Sequence, residues 1–312
     1  MHLGCQLWPQ NTTWASLRDV ARLVDRAGYD SLWTWDHFYA HLGDIEGTNL
    51  EAWEVLAAWG AVTERVRIGP LVSSVTYRHP AVIANMAATL DHISGGRAIL
   101  GLGAGWFAPE HDAYGIALGT PAERSARLAE AVKTIRSLLD EKRTTAHGRY
   151  FRLTDALAEP KPVQHRLPIL IGGYGQRTVR TAARHADLWH AFGTAEALAP
   201  KLDLLRRECG RIGRDPSTIT TLAGGWVMIH DDPRAVEDQL ARVGRVHGFA
   251  TRPAYTLIGG VQQVAEQLRA YALAGFDGFI GCFAEPFDVR SIELFATEVR
   301  ARLGAAMPAA RR

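Results

Sequence analysis

Long apolar runs are missing from this chain: no stretch reaches the roughly 18 uninterrupted apolar residues that a membrane span needs. Met1 to Trp8 runs straight into an apolar segment without the basic flank of a secretory leader. A membrane anchor and a signal peptide are therefore not expected, and the cytoplasm is the expected compartment. Cysteine is scarce. Cys5, Cys209 and Cys282 are scattered, odd in number and without C-x-x-C spacing, which argues against a disulfide framework and a zinc knuckle. An excess of one charge is missing too: 35 basic against 33 acidic side chains leave +2 at pH 7, so nothing global attracts nucleic acid or an anionic membrane. Lysine is nearly absent, since all but four of the basic residues are arginine.

What is present is enough for a large core, with 47% apolar and 22% charged residues over 312 positions. Short β-rich runs alternate with longer amphipathic stretches, the pattern of βα units around a parallel sheet. The first strand, His2 to Leu7, precedes a helix from about Thr13 to Ala27, with Thr12 or Thr13 to cap it and Gly28 to end it. Ser31 to Trp35 is the second strand, followed by a helix near Leu50 to Val62. The third is Val66 to Ser73, and the helix Ala81 to Ile93 follows Pro80 and stops at Ser94-Gly95-Gly96. Ala98 to Leu102 is the fourth strand. The helix from Pro121 to Asp140 turns Leu128, Val132, Ile135 and Leu139 inward and Glu123, Arg127 and Glu130 outward.

A β-hairpin is expected from Thr144 to Ala146 and Tyr150 to Leu153. Further strands are Ile169 to Gly172, Asp187 to Phe192, Thr218 to Ile229 and Gly278 to Phe283. The accompanying helices start after Gly175 and at Ala197, Pro233, Val261 and Val289. His247 to Gly260 fits no unit and reads as an insertion, and Ala305 to Arg312 as a frayed, disordered tail. Eight such units in a chain of this length predict one closed (β/α)₈ TIM barrel with insertions, a single domain over residues 1–304. An open dinucleotide-binding sheet fits less well, because Gly101-Leu102-Gly103-Ala104-Gly105 lies in the fourth unit with the wrong spacing.

In a barrel the chemistry is built after the strands, so the residues at their C-terminal ends carry the functional reading. Those ends hold Trp8, Trp35-Asp36-His37-Phe38, Ser73-Ser74-Val75-Thr76, Gly103-Ala104-Gly105-Trp106, Gly172-Gly173-Tyr174-Gly175, His190 and Cys282. Aromatics and glycines dominate over charges. Such a set suits a flat conjugated cofactor in an apolar cleft better than a hydrolytic metal centre or a carboxylate pair.

Asp36-His37 is the best acid/base candidate, a carboxylate beside an imidazole that titrates near neutrality; a hydrogen-bonded structural histidine is the other reading. Gly172-Gly173-Tyr174-Gly175-Gln176-Arg177 stands between a strand and a helix, where backbone N–H groups can cradle a phosphate with Arg177 as countercharge; a plain glycine-rich turn is the other reading. Gly103 and Gly105 carry a like pair of readings, close approach of a ring or phosphate, or tight strand-helix packing. Ser73, Ser74 and Thr76 offer hydroxyls to a cofactor or to a turn. Trp8, Trp35, His190, Trp226 and Cys282 are expected to line the substrate pocket, whereas Trp14, Trp53 and Trp59, on helices, are expected to be packing. Glu110-His111-Asp112 resembles a metal cluster, but consecutive helical residues point in different directions, so no metal is expected. Cys5, mid-strand, is expected to be buried in the barrel.

Five segments together resemble the bacterial luciferase-like superfamily of flavin- and deazaflavin-dependent oxidoreductases, most closely its coenzyme F420-dependent branch. They are Ser31 to Phe38, Tyr77-Arg78-His79-Pro80-Ala81, Ala88 to Arg97, Gly101 to Trp106, and Leu170-Ile171-Gly172-Gly173. The resemblance implies a (β/α)₈ barrel with F420, or alternatively FMN, at the strand C-termini, a small-molecule substrate and a homodimer. It implies a bulge with a non-prolyl cis peptide within Leu71, Val72, Ser73 and Ser74, and it makes His37 the proton donor or acceptor with Asp36 its supporting neighbour. The loops at Gly103 to Trp106 and Gly172 to Arg177 become the cofactor and phosphate seat. Sugar-phosphate dehydrogenases of this branch carry a glutamate where this chain has Trp106, which argues against glucose 6-phosphate. The resemblance leaves three activities open: an F420-dependent oxidoreductase, an FMN-dependent monooxygenase, and a non-catalytic cofactor-binding barrel.

Overall fold

The first strand sets the scheme for the rest, because every one of its residues after His2 is buried although the two faces meet different neighbours. Leu3, Cys5 and Leu7 join the shell between strands and helices. Gly4 and Gln6 point into the barrel, where a Cβ on Gly4 would press on Ser31 and Ile280. Burial on both faces is what a parallel sheet covered by helices demands.

The computed structural model describes residues 1–248, 251 and 253–306. In chain order its elements are β1 (His2–Leu7), α1 (Trp14–Ala27), β2 (Ser31–Thr34), α2 (Ala52–Val62), β3 (Arg67–Pro70), β4 (Ser73–Ser74), α3 (Pro80–Ile93) and β5 (Leu100–Gly103). Next come α4 (Ala108–Tyr114), α5 (Pro121–Asp140), β6 (Thr144–His147), β7 (Arg152–Ala156), β8 (Ile169–Gly172), α6 (Gln176–His185), β9 (Leu188–Phe192) and α7 (Ala195–Arg211). The last are β10 (Thr220–Ile229), α8 (Pro233–His247), β11 (Leu257–Gly259), α9 (Val261–Ala274), β12 (Gly278–Phe283), α10 (Val289–Leu294) and α11 (Arg300–Ala306).

The strands pair in the order β3-β2-β1-β12-β10-β9-β8-β5-β4, all parallel. β3 and β4 are two pieces of one strand, broken at a cis peptide between Leu71 and Val72. The first piece pairs with β2 and the second with β5, while a bridge from Ile68 to Ala98 closes the ring. This is the expected (β/α)₈ barrel. Its closing seam is tight: a Cβ on Gly69 would lie 2.1 Å from the Ile99 carbonyl oxygen, and one on Gly101 1.9 Å from that of Pro70. Only glycine lets the two backbones come that close. Trp33, Leu71, Ile99, Leu170, Leu188, Leu222 and Ile280 fill the interior, so the barrel is plugged below its mouth.

Local signals match these elements. Thr13 accepts from the Ser16 N–H at 3.2 Å, Gly28 ends α1 at φ 87°, and Thr120 with Glu123 forms a capping box on α5. Three expectations need correction. Cys5 is buried, but against the helices rather than inside the barrel, since it shares a face with Leu3 and Leu7. Glu130 is not a solvent-facing charge, because it accepts the N–H groups of Arg149, Tyr150 and Phe151 and so docks the β6–β7 hairpin. Trp14 is 36% exposed and packs little, unlike Trp53 and Trp59. Within the expected insertion, His247 ends α8 and β11 pairs with the outer half of β10, while residues 249, 250 and 252 lie outside the described residues. Ala305 and Ala306 continue α11, and the rest of the expected tail, 307–312, also lies outside. Among the described residues no helix is long and apolar enough to cross a membrane.

Candidate active site

The strand C-termini converge on a cavity of about 550 Å³. Val72 forms its floor, and the glycines around Val72 explain themselves by that side chain. A Cβ on Gly103 would lie 2.4 Å from Val72 Cγ2, and one on Gly172 2.7 Å from Cγ1. Gly103 does not line the cavity but leaves room for Val72, the side chain that does, so its close neighbour is the strand break and not a helix. Gly105 sits at φ 80°, where a Cβ would also strike Ser74 Oγ at 2.5 Å. Leu71 is tied down from below, its carbonyl accepting from Gln6 Nε2 at 3.3 Å while Gln6 Oε1 accepts from the Cys282 thiol. Burial pushes that thiol well up, so Cys282 is a wall and no nucleophile.

His37 lines the cavity, and its partner is Glu110, not Asp36. The His37 Nδ1 to Glu110 Oε1 distance is 2.6 Å. Pro109 and an acidic first turn start α4, which delivers the carboxylate. Glu110 is fully buried and also accepts from the Tyr77 hydroxyl and the Phe38 N–H. Burial alone would push its carboxyl up, but the bonds from His37, Tyr77 and Phe38 and the nearby imidazole carry it below the ordinary range. An ionised Glu110 keeps the proton on His37 Nδ1, which leaves Nε2 as the nitrogen available to a ligand.

Asp36 points the other way, as neighbours leaving a strand do. Its Oδ2 accepts from Ser73 Oγ at 2.5 Å and from Arg78 at 2.6 Å, and Arg78 also binds Glu51. Asp36 is therefore corrected from a support of His37 to an anchor of the strand break, although it does line the cavity. Ser73 is held between Asp36 and Trp53 and does not reach the cavity. Ser74 does; Thr76 braces it from behind, 2.6 Å from Ser74 and 2.7 Å from His111 Nε2. Glu110 and His111 thus diverge as adjacent helical residues must, and no metal-holding group of His, Cys, Asp and Glu exists among the described residues.

The far wall is aromatic, with Trp8 4.8 Å from Trp35 and 5.1 Å from Trp226. His41 links this wall to the dyad, 4.3 Å from Trp35 and 4.0 Å from His37 between ring centroids. Burial and the His37 charge hold His41 well below its usual pKa. Trp106, 58% exposed, and Tyr174 stand at the mouth. On the β8 side Gly172, Gly173 and Tyr174 line the cavity. Gly175 begins α6 without a side-chain cap, and Gln176 and Arg177 lie exposed just beyond. These three do not reach the cavity itself.

Pattern reading missed Glu110 as a partner of His37, and Tyr77, Gln6 and His41 as cavity residues. A carboxylate 73 positions from the histidine has no local signature that pairs the two. It did place His37, Trp8, Trp35, Trp226, Cys282 and His190 at the cavity, while the bulge at Leu71 and Val72 was implied by the family resemblance alone.

His190 is buried in the middle of β9 with no partner for Nε2 among the described residues, and burial pushes its pKa from 6.5 to about 3. The unfolded chain takes up this proton below pH 6.5 while the fold does not, so the contribution is complete above pH 6.5 and fades as pH falls towards 3. Urea unfolding from pH 6.5 to 4 should show stability falling, with His190 supplying up to about 1.4 kcal/mol per pH unit. His190→Gln should flatten that slope, and an unchanged slope would reject the assignment.

The model of the family described as luciferase-like monooxygenase matches residues 1–255. An F420-dependent glucose-6-phosphate dehydrogenase from Kineococcus radiotolerans is 36% identical over 190 residues, 60% of this chain and 55% of that protein. The pyrimidine monooxygenase RutA of Cronobacter sakazakii is 33% identical over 187 residues, 58% of this chain and 51% of the relative. The chain thus matches only about half the length of these curated relatives. A solved F420-dependent secondary alcohol dehydrogenase, in complex with an F420-acetone adduct, superposes with a TM-score of 0.83 at 22% identity, covering 97% of this chain and 98% of that one. That last likeness concerns the fold. With the family model spanning most of the barrel, the chain belongs to the luciferase-like monooxygenase family.

Proposed function

We propose that this protein is a coenzyme F420-dependent oxidoreductase in which His37 handles the substrate proton. The observation that carries the reading is the buried Glu110–His37 pair at the edge of a cavity floored by Val72. The residues fit a tricyclic ring and its phosphate arm. The cavity has the size of a cofactor site, its floor is apolar, and the buried Asp36 Oδ1 lacks a partner among the described residues. The uncapped start of α6, with Arg177 beside it, offers N–H groups and a positive charge to a phosphate.

When bound, the deazaflavin supplies two-electron hydride transfer. The chain supplies the rest. His37 Nε2 gives or takes the proton that accompanies the hydride, and Glu110 holds the ring by Nδ1 and balances its positive charge. Val72, pinned among glycines, orients whatever lies on it, and the tryptophans exclude water. The F420-dependent relative supports the deazaflavin, while the RutA relative supports FMN and oxygenation as the second reading. Titrating the cofactor-free protein with each, followed by fluorescence, separates them: F420 is expected to bind at least ~10-fold tighter, a gap of about 1.4 kcal/mol. Tighter binding of FMN would reverse the choice.

A further inference from the structure

The cavity is built asymmetrically. On one side stands the proton-handling His37, and from it an unbroken run of rings leads away: His41 at 4.0 Å, then Trp35, Trp8 and Trp226 at successive centroid distances of 4.3, 4.8 and 5.1 Å. Leu42 and Phe192 fill the gaps beside them. No lysine or arginine lines the cavity among the described residues. Arg78, which pairs with the cavity-lining Asp36, is spent on Asp36 and Glu51. The carboxylate that does line it, Asp36, is paired with Arg78 through Oδ2, and its Oδ1 has no partner among the described residues. An anion entering this space would lose its water and meet aromatic faces with no free cation among the described lining residues to pair with, whereas an apolar body would gain contact along the whole run. His41 Nδ1 and His190 Nε2, both buried and without described partners, leave hydrogen-bonding capacity for one or two neutral oxygens.

We infer that the substrate is an uncharged alcohol, or the matching ketone, with an apolar ring-sized body seated along Trp35, Trp8 and Trp226 and its oxygen at His37, rather than a sugar phosphate or a carboxylate. The inference rests on the oxidoreductase reading above and deepens it. In the oxidising direction the carbinol C–H bond breaks and its electron pair leaves as hydride to oxidised F420. The hydroxyl proton goes to His37 Nε2, and the C=O bond forms. Reduction of the ketone by reduced F420 runs the same transfers backwards, so one hydride, which carries both electrons, and one proton balance in either sense.

The test is direct binding, measured by calorimetry on the full chain with and without F420, so it does not depend on turnover. The probes are a series of cyclic ketones from cyclopentanone to cyclodecanone, 4-oxocyclohexanecarboxylate, and glucose 6-phosphate. At least one cyclic ketone is expected to bind about 10-fold or more tighter than the carboxylate and the sugar phosphate, within the range that pocket complementarity commands. Trp226→Leu, which keeps an apolar filler, should weaken that ketone about 10-fold. Glucose 6-phosphate or the carboxylate binding as tightly as the ketones would overturn the inference. So would failure of every ketone to bind, or an unchanged affinity in the variant. A chain that binds the ketone selectively but not F420 would instead overturn the cofactor reading and leave this one standing.

Discussion

His37→Ala is expected to lower the turnover of F420-dependent oxidation or reduction by about 10²- to 10⁴-fold, the usual worth of a positioned general acid or base. The reason lies in the pairing with Glu110. A buried carboxylate held below its ordinary range keeps one ring nitrogen protonated and leaves the other free to exchange a proton. The ring stands at the edge of the cavity and not on its floor, so cofactor affinity should be nearly unchanged. Following F420 absorbance with a panel of alcohols and ketones measures the first quantity, and a fluorescence titration the second. Turnover equal to that of the parent protein would remove His37 from the mechanism. Glu110→Gln, which keeps the shape and loses the charge, should shift the pH profile of the reaction; a group that merely packs would leave that profile in place.

The second large effect is expected at Gly103, a residue that does not line the cavity. An alanine methyl there would come within 2.4 Å of Val72 Cγ2. Valine has little room to swing aside, because its branched side chain restricts χ1 and the backbones of Gly101 and Gly172 pack against it as well. The strain must therefore lift the floor into the cavity. Overpacking of this kind costs about 1 to 3 kcal/mol, and if it is relieved at the floor, cofactor affinity should drop about 5- to 150-fold. The double variant Gly103→Ala/Val72→Ala should restore much of the stability, since the truncated side chain vacates the contested space. Cofactor titration together with thermal unfolding of the two variants decides the matter. A single variant that binds F420 like the parent would show that Val72 does not form the seat.

The two predictions mark the boundary of what pattern reading reaches. The strand–helix rhythm, the helix caps at Thr13 and Thr120, and the aromatic and glycine residues at strand ends are local properties, set by period, capping chemistry and side-chain type. They were enough to place Trp8, Trp35, His37, Gly172, His190 and Cys282 around one mouth, because a barrel brings all its strand ends together. The roles within that mouth were another matter. Asp36 is adjacent to His37 in the chain, yet backbone direction turns it towards Arg78 and Ser73.

Period and residue type, which depend only on near neighbours along the chain, were sufficient for the barrel, its closed ring of βα units and the composition of its mouth. Which carboxylate meets the imidazole, and why Gly103 and Gly172 are bare, came from the three-dimensional arrangement alone. Both depend on contacts between segments far apart in the chain: the orientation of α4 brings Glu110 to His37 across 73 residues, and the break after β3 drives Val72 between β5 and β8. Directional contacts of that kind leave no periodic trace, because they are fixed by where whole elements dock and not by the preferences of the residues that make them.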